Sequence, residues 1–146
     1  MTAPTHVFVI YIRTSPEKLW DAITRPEFTR QYFHETAIES DFQAGSAVTY
    51  RMSDGRPAVV GRVIECTRPS KLVITWHFEY SDAYRDEPPS RVTFLIEQSG
   101  KSCKLTVIHD EFAGETATYK AVGGGWPGVL SSLKSLLETG EPLVYE

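Results

Sequence analysis

The sequence predicts an α+β domain in which one curved antiparallel sheet of about six to seven strands packs against a long C-terminal helix. Three observations carry this expectation. Seven β-rich runs are separated by turn signals, two short proline-led helices follow the first run, and one amphipathic helix closes the chain. A length of 146 residues suits a single domain over 1–146. At that size roughly two-thirds of the unfolded surface can be buried, enough for a core without metals or disulfides.

The first run, His6–Arg13, is an unbroken β-rich stretch that stops at Thr14-Ser15-Pro16-Glu17. Ser15 is a helix N-cap, and Pro16 occupies the first turn, where no amide hydrogen is needed. Leu19, Trp20 and Ile23 then share one helix side, until Arg25-Pro26 ends the helix because the residue before proline leaves the α region. Pro26 opens a second short helix, Pro26–Phe33. Strands are expected at Thr36–Phe42, Ser46–Met52, Pro57–Thr67, Leu72–Tyr80, Ser90–Gln98 and Lys101–Phe112, with Asp54-Gly55 marking a tight hairpin. Ser81–Ser90 reads as a long exposed hairpin loop. Trp126, Val129, Leu130, Leu133, Leu136 and Leu137 step by three and four, and Gly140 and Pro142 stop that helix. Thr116–Val122 extends it upstream, while Gly123-Gly124-Gly125 and Pro127 predict a kink or break between the two parts.

Side chains alternate along a strand, so each run sorts into two faces. Leu72, Ile74, Trp76, Phe78 and Tyr80 share one face, as do Val92, Phe94 and Ile96, and Val48, Tyr50 and Met52. A helix about 10 Å wide cannot cover seven strands, which span roughly 30 Å even when curved. Sheet curvature and the short helices fill the difference, or a cavity lined by Trp and Tyr remains. The same alternation in Lys101–Phe112 sets His109 and Glu111 on the apolar face with Cys103, Leu105 and Val107. Either they face a wet or ligand-filled pocket, or the strand frays and both reach solvent.

Charge and motif content exclude several classes. Fifteen basic residues against nineteen acidic ones give a net charge of −4, with no basic run to neutralise phosphates. No apolar stretch approaches the ~20 residues of a membrane-spanning helix. Met1–His6 has neither a basic nor an apolar leader region, so the expected compartment is the reducing cytoplasm, with Cys66 and Cys103 as buried free thiols. Nothing in the chain reads as a nucleophile elbow, a phosphate loop or a zinc motif. His6, His34, His77 and His109 are scattered, so neither a metal nor another cofactor is expected.

Residues 15–24 (Ser-Pro-Glu-Lys-Leu-Trp-Asp-Ala-Ile-Thr), residues 25–28 (Arg-Pro-Glu-Phe), the strands and the terminal helix come in an order that resembles the helix-grip, START-like superfamily. Three further features are similar to bacterial proteins related to the C-terminal domain of the Hsp90 ATPase activator. They are Pro-Ser-Lys-Leu-Val-Ile-Thr-Trp at 69–76, His-Asp-Glu-Phe at 109–112, and Gly-Trp-Pro-Gly-Val-Leu-Ser-Ser-Leu-Lys at 125–134. The resemblance implies a hydrophobic pocket between the long helix and the sheet, with ligand-binding positions at Tyr32, Phe33, Tyr50, Trp76, Phe78, Phe94, His109, Glu111 and Trp126.

Three functions are therefore weighed. The first is binding of a small hydrophobic or aromatic molecule, lipid or polyketide-like, without catalytic residues. The second is a cyclase- or hydrolase-like enzyme using His109 and Glu111, which point the same way on a strand but sit about 7 Å apart. The third is a protein-interaction module, an Hsp90-type co-chaperone of the stress response or a homodimer. The resemblance is to the activator's C-terminal domain alone, and 146 residues leave no room for its N-terminal domain.

Overall fold

The structure, a computed structural model, describes residues 4–143; residues 1–3 of the stretch read for a leader, and 144–146, lie outside the described residues. Strand β1 (His6–Ile12) leads into α1 (Pro16–Thr24) and α2 (Pro26–Tyr32). The strands β2 (Ala37–Ser40), β3 (Ala47–Arg51), β4 (Pro57–Thr67), β5 (Lys71–Phe78), β6 (Ser90–Ser99) and β7 (Ser102–Asp110) follow, and α3 (Ala117–Thr139) closes the fold. The seven strands form one antiparallel sheet in the order β1-β7-β6-β5-β4-β3-β2. This is the helix-grip arrangement that the sequence predicts.

The element ends follow local chemistry. The Ser15 hydroxyl accepts the Lys18 amide at 3.3 Å, capping α1 with Pro16 behind it. Arg25 is extended at the α1–α2 junction, as a residue before proline must be. Gly100 turns β6 into β7 at φ +61°, a conformation that favours glycine.

The predicted inner faces are buried along most of their length, but Met52 and Phe78 are half-buried, Tyr80 is exposed, and Val73 of the expected outer face is buried. Val48 and Tyr50, Val59 and Val63, Leu72, Ile74 and Trp76, Val92, Phe94 and Ile96, and Cys103, Leu105 and Val107 form one core with the buried side of α3. Curvature has two sources in β4. The register shifts between Val63 and Glu65, and a Cβ at Gly61 would lie 1.9 Å from the Thr75 carbonyl oxygen, so only glycine admits that approach of β5.

Two expectations are corrected. The glycine run and Pro127 do not break α3, which is continuous over 23 residues from the Thr116 N-cap to Gly140 at φ +86°. Pro127 costs about 3 kcal/mol and each glycine about 1 relative to alanine. Burial of Val122, Trp126, Val129, Leu130, Leu133 and Leu136 contributes about 1.5–3 kcal/mol per side chain, which exceeds that sum. In addition, β7 ends at Asp110 rather than Phe112. Glu111 takes φ +63° and leaves the strand, so the alternation that set it on the inner face stops one residue short.

Candidate functional site

A cavity of about 430 Å³ lies between α3 and the β3–β5 part of the sheet. Ala58 and Val59 of β4 and Trp76 and Phe78 of β5 line its wall, Met52 and Tyr80 join from the segments that follow β3 and β5, and α3 supplies Ala121, Val122, Gly125, Trp126 and Val129. Phe33, His34 and Thr36 close it from the end of α2. Phe33 is held there by its own carbonyl, which accepts the Thr36 amide at 2.9 Å and the Thr36 hydroxyl at 2.7 Å. His34 and Glu35 make the sharp turn at φ +50° and +58°. The wall is mostly apolar and aromatic, with His34 and Thr36 as polar members, and it carries no lysine or arginine.

The rings stack in two layers. Phe33 lies 5.8 Å from both Trp76 and Trp126, and the two indoles are 5.7 Å apart. Behind them Tyr50 stacks on Phe33 at 4.8 Å and leans on Trp76 at 5.2 Å. Phe94 meets Trp126 at 6.0 Å from the far side. At the mouth, Phe78, Tyr80 and Tyr84 form an aromatic cluster, with Phe78 to Tyr84 at 4.8 Å. Tyr84 belongs to the single 3-10 turn Asp82–Tyr84 in the β5–β6 loop, and Glu87 of that loop accepts the Thr118 amide at 3.2 Å, tying the loop to α3.

His109 sits behind the cavity wall, fully buried. Trp126 Nε1–H donates to its Nδ1 at 3.1 Å, and an indole only donates, so Nδ1 is the unprotonated nitrogen. The ring proton is therefore on Nε2, which donates to Ser90 Oγ at 2.7 Å, and the Ser90 hydroxyl faces the Trp76 carbonyl at 3.3 Å. Burial first, and the neighbouring His6 second, hold the imidazole neutral, with its pKa pushed down to about 3 against a weaker opposing effect of Asp110. Both nitrogens are engaged, which leaves no lone pair for general-base work.

Of the nine residues expected in the pocket, Phe33, Trp76, Phe78 and Trp126 form the wall. Tyr32, Tyr50, Phe94 and His109 are buried one layer back; Tyr32 donates its hydroxyl to the Ala22 carbonyl at 2.7 Å. Glu111 is elsewhere. Its side chain is 61% exposed and faces Arg91 at 3.7 Å on the outer side of the sheet, where Arg91 also holds Asp110 with both ends of its guanidinium. His109 and Glu111 are thus not brought together. Sequence reasoning missed His34, Thr36 and the α3 positions Ala121, Val122, Gly125 and Val129. Tyr80 and Met52 were legible as inner-face residues, but nothing local marks a small residue such as Gly125 as cavity wall.

Among the described residues no group of three or more His, Cys, Asp or Glu is placed to hold a metal ion, and no helix is long and apolar enough to cross a membrane. Cys66 and Cys103 are free thiols; Cys103 is buried as expected, whereas Cys66 is only half-buried.

A family model for the Activator of Hsp90 ATPase homolog 1-like protein matches residues 13–138. No curated protein matches the chain. Among solved structures, protein MLL2253 from Mesorhizobium loti is 23% identical with a TM-score of 0.76, the match covering 91% of this chain and 96% of that one. The Aha1 dimer from Colwellia psychrerythraea is 19% identical at a TM-score of 0.74, covering 93% and 97% respectively. DynU16, from the dynemicin biosynthetic locus, is 18% identical at a TM-score of 0.77; the match covers 99% of this chain and 51% of DynU16, so this chain spans about half its length. These likenesses are likenesses of fold.

Proposed function

The chain belongs to the Activator of Hsp90 ATPase homolog 1-like protein family, and from that premise we propose that it binds a small, largely apolar aromatic molecule in the cavity between α3 and the sheet. The observation that carries the reading is the cavity itself. Its volume of about 430 Å³ falls inside the roughly 300–1,000 Å³ range of ligand sites, and its wall is built of the rings of Phe33, Trp76, Phe78 and Trp126.

Gly125 offers the test. A Cβ there meets no atom within 4 Å, so Gly125→Leu extends into open space at the cavity wall, and leucine is the better helix former. In a thermal-shift screen against flavonoids, aromatic polyketides, steroids and lipids, the expected result is a set of aromatic hits whose shifts vanish in Gly125→Leu, while the unliganded midpoint holds or rises. Hits that persist undiminished in Gly125→Leu place binding outside this cavity and overturn the reading.

Self-association is a second reading. Val7, Val9 and Tyr11 are half-exposed along the outer face of the edge strand β1, and the Colwellia relative is a dimer. Light scattering after gel filtration at ~100 μM distinguishes it: a mass of one chain rejects this reading, and a mass of two that falls to one in Val9→Lys supports it.

A further inference from the structure

The two edges of the sheet are finished differently. At one, β2 has four residues, carries Glu39 in an ion pair with Arg51, and has its Ile38 amide bonded to the Thr29 hydroxyl of α2 at 3.1 Å. Short length, charge and a covering element keep a free edge from pairing with another strand. At the other edge, β1 runs His-Val-Phe-Val-Ile-Tyr-Ile, with no lysine, arginine, carboxylate, proline or glycine, and it pairs with β7 over all seven residues without a bulge.

The β6–β7 turn fixes which backbone groups of β1 are left over. Ser99 and Ser102 flank a two-residue loop and so form a hydrogen-bonded pair, which directs the alternate residues from Cys103 to His109 at β1. Those residues face His6, Phe8, Ile10 and Ile12. Val7, Val9 and Tyr11 therefore turn their N–H and C=O groups to the open edge. The chain caps only the far end of that edge, where Lys134 Nζ donates to the Tyr11 carbonyl and Glu138 accepts the Arg13 amide at 2.8 Å. Among the described residues no hydrogen bond reaches the outward groups of Val7 or Val9. Their side chains are 58% and 48% exposed on the outer face, and Phe8 and Ile10 on the inner face are only half-buried.

We propose, on the reading that the chain self-associates, that a second copy adds its β1 to this edge, antiparallel about a two-fold axis at Phe8. In that register Val7 exchanges both backbone hydrogen bonds with Val9 of the partner subunit, and Val9 with Val7 of the partner subunit. These pairs use the uncapped groups of both copies and leave the Lys134 and Glu138 caps in place. The occupant is a second copy because the edge is complementary to itself. The facing stretches carry no charge, so no like charges meet, and valine meets valine on the outer face. The β2 edge is capped, so association closes at two chains. An edge of seven residues buries less than the roughly 1,600 Å² of a standard interface, so the dimer is weak.

Proline at position 9 isolates the backbone. The Val9 N–H is not used by β7, so an edge strand accepts Val9→Pro, which removes one donor from each copy. Val9→Thr keeps the N–H and the branched Cβ. Sedimentation velocity between ~5 and ~500 μM is expected to show a reversible dimer with Kd on the order of 50 μM. Val9→Pro is expected to weaken it at least tenfold, and Val9→Thr to stay within about threefold. Should Val9→Pro fail to fold, amide exchange of the unaltered chain decides: the Val7 and Val9 amides are expected to exchange at least tenfold more slowly in the dimer than in the monomer. A dimer that survives Val9→Pro, or whose Val7 and Val9 amides exchange at the monomer's rate, overturns the edge pairing and leaves self-association through another surface standing. Equal weakening by Val9→Thr and Val9→Pro, or growth beyond two chains, overturns it as well. A monomer at every concentration overturns this inference and the self-association reading together.

Discussion

His109 shows how a residue with catalytic potential is committed to structure. Its Nδ1 and Nε2 are both hydrogen-bonded inside the core, and burial pushes its pKa down to about 3 from the ordinary 6.5. The unfolded chain therefore binds this proton more readily than the folded one at any pH between those values. The stabilisation is complete above pH ~6.5 and is lost progressively as the pH falls toward 3, amounting to about 2 kcal/mol by pH 5. Urea unfolding at pH 7.5 and pH 5.0 is expected to show that loss, and His109→Gln, which keeps a donor and an acceptor without titrating, is expected to lose about 2 kcal/mol less over the same interval. Equal losses in the two proteins contradict the assignment of a neutral buried imidazole. Glu111 is the contrast. Its exposed contact with Arg91 at 3.7 Å is worth at most a few tenths of a kcal/mol, so Glu111→Ala is expected to leave both stability and ligand binding essentially unchanged.

Among the elements, α3 and β4 carry glycines for opposite reasons. At Gly123 a Cβ would lie 2.7 Å from the His6 imidazole, which is held by stacking on Tyr119 at 4.3 Å and by a 2.8 Å hydrogen bond to the Tyr119 carbonyl. That glycine lets α3 pack closely on β1. Gly125, two positions on, borders open space. Gly61 in β4 is the most constrained, since its missing Cβ gives way to backbone rather than to a side chain. Gly61→Ala is therefore expected to destabilise by more than 2 kcal/mol in urea unfolding, against a neutral or positive effect of Gly125→Ala. A loss under 1 kcal/mol at Gly61 contradicts the close approach of β4 and β5.

On the scale of the whole molecule, the cavity follows from a mismatch of widths. One long helix lies on a seven-stranded sheet, and the β4 bulge between Val63 and Glu65 curves the sheet without closing it on α3. The space left between β3–β5 and α3 is the cavity, with the Tyr80–Tyr84 cluster of the β5–β6 loop at its mouth. A ligand of this site at about 100 times its dissociation constant stabilises by ~2.7 kcal/mol. For a domain of this size the thermal midpoint is expected to rise by roughly 5–10 °C. Binding that leaves the midpoint unmoved contradicts a ligand enclosed by the fold.

Strand alternation and helix periodicity determined by themselves the order of elements, the α+β class and the apolar inner faces. Each of these follows from residues close together in sequence. Trp76, Phe78 and Phe94 were legible as inward-facing because a strand has a period of two. Only the tertiary structure decided which inward rings meet the cavity and which lie behind it. Phe94 and Tyr50 share the face of Trp76 and Phe78, yet they are covered by Trp126 and Phe33, residues distant in sequence. The same holds for the unbroken course of α3, where burial outweighs the local preference of four glycines and a proline. It holds again for Glu111, which the end of β7 at Asp110 rather than Phe112 moves to the solvent side. Local rules state which way a side chain points, and long-range packing decides what it meets there.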